Sequence, residues 1–127
     1  MSIFELIQLG GDGLIPAVIV DADDGEVLTL CYMNREALEL TLGTGKVHVF
    51  RRSKGRVMLK GETSGHVQHV KEILVDCEGK SLVIRVDQET AACHMGYKSC
   101  YFRRYDAGTG ELVVTQERVF DPDQVYE

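Results

Sequence analysis

The sheet of this protein is specified most clearly by the stretch Ser81-Leu82-Val83-Ile84-Arg85-Val86-Asp87. Its even-numbered residues are leucine, isoleucine and valine, whereas its odd-numbered positions include an arginine and an aspartate. This two-residue period is typical of a strand in a sheet with one buried face. The preceding Glu78-Gly79-Lys80 predicts a turn, and residues 66–76 predict a longer strand before it. The alternation in that strand breaks between Val67 and Val70, which predicts a bulge.

Strand patterns recur on both sides of this stretch. They cover residues 15–20, 27–33, 46–52, 56–60, 100–105 and 111–119. Several neighbours are joined by short turns rich in glycine and aspartate, which favours antiparallel hairpins. We therefore expect one domain over residues 1–127, of the α+β class, β-rich, with mostly antiparallel sheet and one or two short helices.

Two helices are predicted from their capping residues. Ser2, followed three residues later by Glu5, has the spacing of a capping box for a short N-terminal helix. Asn34 is suited to cap a second helix, whose apolar face would carry Leu38 and Leu42. The glycine immediately after Leu42 predicts the end of that helix.

Composition limits the class of protein. A chain of 127 residues is about one domain, and 44% hydrophobic residues with two prolines are typical of a folded protein. The sequence has no basic N-terminal segment and no apolar run near the roughly 18 residues of a membrane span. We expect a cytoplasmic protein with reduced cysteines and no membrane partner. The net charge of −6 argues against a general nucleic-acid binder.

Basic residues are concentrated in one part of this acidic chain. Residues 43–61 contain no acidic side chain and six basic ones, namely Lys46, Arg51, Arg52, Lys54, Arg56 and Lys60. Such an island suits phosphate, because arginine offers a bidentate fork and lysine a point charge. It is also typical of the solvated face of a hairpin.

Two of the four cysteines and a histidine fall in the stretch Cys93-His94-Met95-Gly96-Tyr97-Lys98-Ser99-Cys100. With Cys77, these thiolates would leave a fourth tetrahedral position for water, which is the composition of a catalytic zinc site. Cysteine pairs are also common in protein cores, and the spacing is wider than in zinc fingers. Cys77 ends one predicted strand and Cys93 follows the next, so they could meet at one sheet edge or across a dimer axis. Cys31, in an apolar strand, is expected to be a core residue.

Five sequence blocks resemble the phosphoribosyl-AMP cyclohydrolase family in order and spacing. They are Gly13-Leu14-Ile15-Pro16-Ala17, Tyr32-Met33-Asn34-Arg35-Glu36-Ala37-Leu38, Lys60-Gly61-Glu62-Thr63-Ser64-Gly65, Asp76-Cys77 and Cys93-His94-x-Gly96-x-x-Ser99-Cys100. The resemblance implies an intertwined homodimer in which zinc is held by Cys77 of one subunit and by Cys93 and Cys100 of the other. It also implies hydrolytic opening of the adenine ring of 1-(5-phosphoribosyl)-AMP, between N1 and C6, in histidine biosynthesis.

Elementary chemistry assigns roles within that reaction. Adding water at C6 needs a nucleophile stronger than neutral water, and zinc lowers the pKa of bound water to roughly 7. His94 is the candidate to carry the proton toward the departing ring nitrogen, although it could instead only hydrogen-bond a zinc ligand. The candidates for binding the two substrate phosphates are Arg52, Ser53, Lys54, Lys60, Thr63 and Ser64.

The chain departs from the family pattern at a second metal site. Family members usually have Asp-Cys-Asp-x-Asp where this sequence has Asp76-Cys77-Glu78-Gly79-Lys80. Asp76 and Glu78 remain candidate magnesium ligands, whereas the Lys80 ammonium cannot bind a cation. We expect a magnesium requirement that is weakened by Lys80.

The substrate region also differs from the family pattern. Met58 and His66 stand where the family usually has tryptophan and asparagine. Two other functions therefore stay open. One is a paralogous zinc hydrolase that acts on a related purine nucleotide, and the other is a non-catalytic dimer stabilised by zinc.

Overall fold

The structure is a computed structural model that describes residues 2–125. Along the chain, its elements are α1 (Ile3–Leu6), β1 (Ile15–Asp21), β2 (Val27–Met33), α2 (Arg35–Thr44), β3 (His48–Arg51), β4 (Arg56–Leu59), β5 (Gln68–Val75), β6 (Leu82–Gln88), β7 (Arg103–Asp106), β8 (Glu111–Val114) and α3 (Pro122–Val125). The predicted α+β class is confirmed, and the homodimer stays a prediction.

Four of the predicted strands form the central sheet in the order β2-β1-β6-β5. The pairs β1–β2 and β5–β6 are antiparallel hairpins, whereas β1 and β6 lie side by side in parallel. β3–β4 and β7–β8 form two further antiparallel hairpins. The mostly antiparallel pairing follows from the short turns that join neighbouring strands.

The alternation in β6 is confirmed, since Leu82, Ile84 and Val86 are all buried. β1 presents Ile15 and Ile19 to the same core. Burial of these aliphatic side chains against each other is the main stabilising contribution to the sheet.

The bulge in β5 lies farther along the strand than predicted. The register with β6 shifts between Val70 and Glu72, and the strand begins at Gln68. The apolar alternation fails earlier because the buried face carries Gln68, whose Nε2 donates to Oε1 of Gln88 at 2.7 Å.

Helix α2 begins as predicted but ends later. The Asn34 side chain accepts from the backbone N–H of Ala37 at 2.8 Å, which confirms it as the N-cap. The predicted end after Leu42 is wrong. The helix continues to Thr44, and Gly45 ends it with a φ of 74° in the left-handed region, a conformation that favours glycine.

The buried face of α2 also differs from the prediction. Leu38 is buried, but Leu42 is 46% exposed, and Thr41 takes the inward position. Thr41 Oγ1 donates to the Ala37 carbonyl at 2.8 Å and accepts from the His48 N–H at 2.9 Å. The Thr41 hydroxyl thus joins the helix to β3 by a hydrogen bond, which an apolar side chain could not form.

The other helices are single turns. Ser2 caps α1, although its side chain accepts from the N–H of Phe4, not from that of Glu5. The unpredicted helix α3 follows a polar, weakly patterned sequence and has proline at its first position, where no N–H is needed. Among residues 2–125, no helix is long and apolar enough to cross a membrane.

The last hairpin is shorter than predicted because both of its outer ends pair elsewhere. Cys100 N–H donates to the Leu28 carbonyl at 2.7 Å, which joins this region to β2. Beyond β8, Val119 N–H donates to the Gly96 carbonyl at 2.7 Å. The chain therefore returns across residues 93–100, where the predicted metal and catalytic residues lie.

Candidate active site

The cysteine loop, residues 93–100, is folded by its own backbone hydrogen bonds. Cys93 N–H donates to the Tyr97 carbonyl at 3.1 Å, and Gly96 N–H donates back to the Cys93 carbonyl at 3.1 Å. The Met95 N–H donates to Cys93 Sγ at 3.4 Å. The sulfur of the buried Cys93 thus accepts a backbone hydrogen bond, and sulfur is a ligand that suits a soft metal ion.

Cys100 lies beside Cys93. Burial is the main cause that raises the pKa of the Cys100 thiol, the hydrogen bond with Thr29 lowers it, and neighbouring Cys93 raises it further. The positive charge of Lys60 acts in the opposite direction. The structure thus brings two of the three predicted zinc ligands together, with a lysine near them.

Lys98 attaches the cysteine loop to the turn between β1 and β2. Its Nζ lies 2.7 Å from Asp24, 3.1 Å from Glu26 and 3.2 Å from Asp21. The hydrogen bond to Asp24 is the main cause that holds the pKa of Lys98 above its ordinary value. Next to it, Ser99 Oγ donates to the Val27 carbonyl at 2.7 Å. No sequence pattern indicated that Lys98 contacts this turn, because Lys98 and its carboxylate partners are far apart in the chain.

Cys77 lies away from the other two cysteines. It is exposed in the turn after β5, whereas the cysteine loop follows the other end of β6. A strand of seven residues spans about 20 Å at about 3.3 Å per residue. Within residues 2–125, no three histidine, cysteine, aspartate or glutamate side chains are grouped to hold a metal. The prediction that Cys77 and Cys93 could meet at one sheet edge is therefore wrong for a single chain, and the alternative across a dimer axis stays a prediction.

His94 is exposed and lines two neighbouring clefts of about 650 and 740 Å³. Lys60 also lines both, and its Nζ donates to the Ala92 carbonyl at 3.3 Å. The first cleft contains Lys54, Lys60, Thr63 and Ser64, and the second contains Arg52, Ser53, Lys60 and Cys100. All the predicted substrate-binding residues thus line one cleft or the other, with His94 at their junction.

Local contacts hold two of these residues in place. The Arg52 guanidinium lies 4.1 Å from the centre of the Tyr32 ring. Ser64 Oγ accepts from the His66 N–H at 3.1 Å. Gly61, which precedes Ser64 in the chain, packs closely against the backbone of His66. A Cβ at Gly61 would lie 2.6 Å from the His66 carbonyl.

Several residues of the first cleft were not predicted. Arg51 belongs to the basic island but was not among the predicted phosphate-binding residues. Arg118, Pro122 and Asp123 come from the C-terminal segment, residues 115–125. The five family blocks end before that segment, so no motif indicated it. Met58 and His66, the two departures from the family pattern, also line the first cleft.

The turn with the candidate magnesium ligands is already hydrogen-bonded. Asp76 Oδ1 accepts from the Glu78 and Lys80 N–H groups at 3.1 and 2.8 Å, and Oδ2 accepts from Ser81 Oγ at 2.7 Å. The Ser81 hydrogen bond is the main cause that lowers the pKa of Asp76. Lys80 Nζ lies 3.3 Å from Glu78.

Comparison with known proteins identifies close relatives. The family model described as phosphoribosyl-AMP cyclohydrolase matches residues 29–102. A protein of that name from Methanothermobacter thermautotrophicus is 51% identical over 121 residues, covering 94% of this chain and 86% of the relative. One from Methanosarcina barkeri is 54% identical over 114 residues, covering 90% and 84%. One from Pelotomaculum thermopropionicum is 51% identical over 114 residues, covering 90% and 88%.

Proposed function

The chain belongs to the phosphoribosyl-AMP cyclohydrolase family and is a hydrolase of histidine biosynthesis, and we propose that it opens the adenine ring of 1-(5-phosphoribosyl)-AMP with the help of zinc. The observation that carries the proposal is that Cys100, which lies beside Cys93, lines the second of two basic clefts, and that His94 lines both. Because the substrate carries a phosphate at each end, the two basic clefts would bind one phosphate each.

Zinc would be held by Cys93 and Cys100 of one subunit and Cys77 of the other. The first two fit a soft metal ion because they lie together and Cys93 receives an N–H hydrogen bond. Cys77 fits because it is exposed and forms no disulfide. When bound, zinc activates a water molecule as a nucleophile at neutral pH.

The chain's own residues would position the substrate and move the proton. In the reaction, the oxygen of water bonds to C6, the C6–N1 bond breaks, and N1 takes up a proton. His94 would carry that proton from the attacking water to N1, since imidazole is suited to proton transfer near neutral pH. Lys60, between the clefts, would add positive charge beside the reacting ring.

An intertwined homodimer completes the proposal, and exposed apolar side chains support it. Leu112 and Val114 of β8 are 57% and 53% exposed, and Tyr105 of β7 is 64% exposed. Leu74, close to the turn with Cys77, is 45% exposed. A monomer in water rarely leaves so much apolar surface uncovered.

A cytoplasmic location agrees with this biosynthetic role, and the net charge of −6 agrees with the absence of a nucleic-acid partner.

The turn after β5 fits a magnesium site poorly, because Asp76 already accepts hydrogen bonds on both oxygens and Lys80 pairs with Glu78. We expect magnesium to change the activity of the zinc-loaded protein only slightly. The Lys80→Asp variant should be activated more strongly, because a carboxylate would replace the ammonium. Magnesium titrations of both proteins measure this, and strong activation of the parent would contradict it.

The function is tested with purified protein and 1-(5-phosphoribosyl)-AMP, following the ring-opened product by its ultraviolet absorbance. Turnover that stops on zinc removal and returns on zinc addition is the expected result. A paralogous activity is the second candidate, because Met58 and His66 alter the first cleft. Turnover of AMP or adenosine without turnover of phosphoribosyl-AMP would favour that candidate, and zinc binding without any turnover would favour a structural role.

A further inference from the structure

The C-terminal segment is fixed on the cysteine loop by close backbone contact. Val119 N–H donates to the Gly96 carbonyl at 2.7 Å. Gly96 has a φ of 98°, and a Cβ there would lie 2.6 Å from the Phe120 carbonyl oxygen. This approach therefore requires glycine in the loop.

Ring contacts hold the same segment at the first cleft. The ring of Phe120 lies edge-on to His66, with centroids 4.8 Å apart. The Arg118 guanidinium lies 5.7 Å from the centre of the Tyr97 ring, within the range of a cation–π contact. Arg118 is thus presented to the cleft by a segment whose next two residues, Val119 and Phe120, contact Gly96 and His66.

The first cleft has more basic than acidic groups. Arg51, Lys54, Lys60 and Arg118 line it, together with the carboxylates of Glu62 and Asp123. Glu62 is already paired with Arg56 at 3.4 Å. Within residues 2–125, none of the ion pairs involves Arg118. Its charge is therefore available to an anionic ligand in the cleft.

We infer that Arg118 binds one of the two phosphates of the substrate, an inference that rests on the proposed function. The guanidinium matches a phosphate bidentately, and a cleft of about 650 Å³ has the size of a small-molecule site. Arg118 acts with the basic hairpin β3–β4, so the site is built from two distant parts of the chain.

The test compares Arg118→Met, Arg118→Lys and the control Arg104→Met. Arg104 is exposed on β7 and lines neither cleft. Loss of a charge-assisted hydrogen bond predicts a KM raised about 10- to 100-fold in Arg118→Met, with kcat within about threefold of the parent. Arg118→Lys should recover part of the loss, and Arg104→Met should match the parent.

Inhibition assays identify the phosphate involved. AMP is compared with adenosine, and ribose 5-phosphate with ribose, for each variant. Arg118→Met should weaken inhibition by AMP or by ribose 5-phosphate about 10-fold or more, and leave the two phosphate-free compounds unchanged.

Unchanged KM and inhibition constants in a folded Arg118→Met protein would overturn the inference, as would a fall in kcat alone. Circular dichroism and zinc content check the fold of each variant. If the parent does not turn over phosphoribosyl-AMP, the proposed function fails. In that case, calorimetry with AMP and ribose 5-phosphate tests the role of Arg118 independently. Equal binding of these ligands by the parent and by Arg118→Met would overturn that role.

Discussion

The Cys31 and Cys93 thiols differ in their hydrogen bonds. Cys31 is half-buried in β2, donates to the Ala17 carbonyl at 3.6 Å, and has its pKa raised to about 12, mainly by desolvation. A thiol with this pKa stays protonated at neutral pH and is a poor metal ligand. Cys93, in contrast, receives an N–H hydrogen bond on its sulfur. The expected core position of Cys31 is only partly met, since this residue packs against the main core but is partly buried and lines the second cleft.

His94 should affect proton transfer without affecting zinc. It is exposed at the junction of the clefts, and its neighbour Cys93 is the candidate ligand. We expect His94→Ala to retain zinc while losing on the order of 100-fold or more in kcat, the range typical of a positioned acid or base. Steady-state kinetics and metal analysis of the same preparation measure both effects.

Two matched variants accompany that experiment. His69→Gln changes a histidine that lines neither cleft and should leave kcat unchanged. Cys31→Ala should keep its zinc. Zinc loss from His94→Ala would show that His94 is a ligand, and the proton-transfer role would then be wrong.

At the scale of elements, Lys98 joins the cysteine loop to the β1–β2 hairpin. Three carboxylates surround its ammonium, and Gln116 Nε2 donates to one of them, Glu26, at 2.5 Å. The Lys98 hydrogen bond is also the main cause that lowers the pKa of Asp24. The loop that carries Cys93 and Cys100 is thus oriented by charged contacts outside the candidate metal site.

Lys98→Met should weaken zinc binding about 10-fold, since residues that orient metal ligands commonly have effects of this size. The variant keeps an unbranched apolar side chain but has no ammonium to pair with the carboxylates of the hairpin. Competition with a chromogenic chelator measures the zinc affinity. Lys71→Met, at an exposed position of β5, is the control. Equal zinc affinity in all three proteins would mean that the backbone bonds of the loop are sufficient.

For the whole molecule, the position of Cys77 gives the most direct test of a shared site. If its ligands come from two subunits, Cys77→Ser and Cys93→Ser should each be inactive alone. After unfolding and refolding together, about half of the dimers would be mixed, and each mixed dimer would contain one intact site. We therefore expect recovery of about a quarter of the parent activity.

The control mixes Cys77→Ser with the double variant Cys77→Ser/Cys93→Ser, which leaves no intact site in any pairing. It should stay inactive. Absence of recovery in the first mixture, with dimers detected by light scattering, would contradict a site shared between subunits.

Much of the fold was predictable from local patterns. The period of β6 predicted its buried face, and Asn34 predicted the start of α2. The end of α2 was predicted wrongly because two glycines lie near it, and the one that adopts a positive φ, Gly45, is chosen by the packing of Thr41 against β3. A propensity acts within a few residues, whereas this choice depends on a contact with another element.

Strand positions, the cysteine–histidine stretch and the family blocks could be read from the sequence, because alternation, capping and motif spacing are local properties of the chain. The contacts of Lys98 with Asp24 and of Arg118 with the first cleft could not, because they join residues far apart in sequence. The separation of Cys77 from Cys93 has the same origin. β6 carries the chain away from the turn that holds Cys77, so the two cysteines lie at opposite ends of one strand.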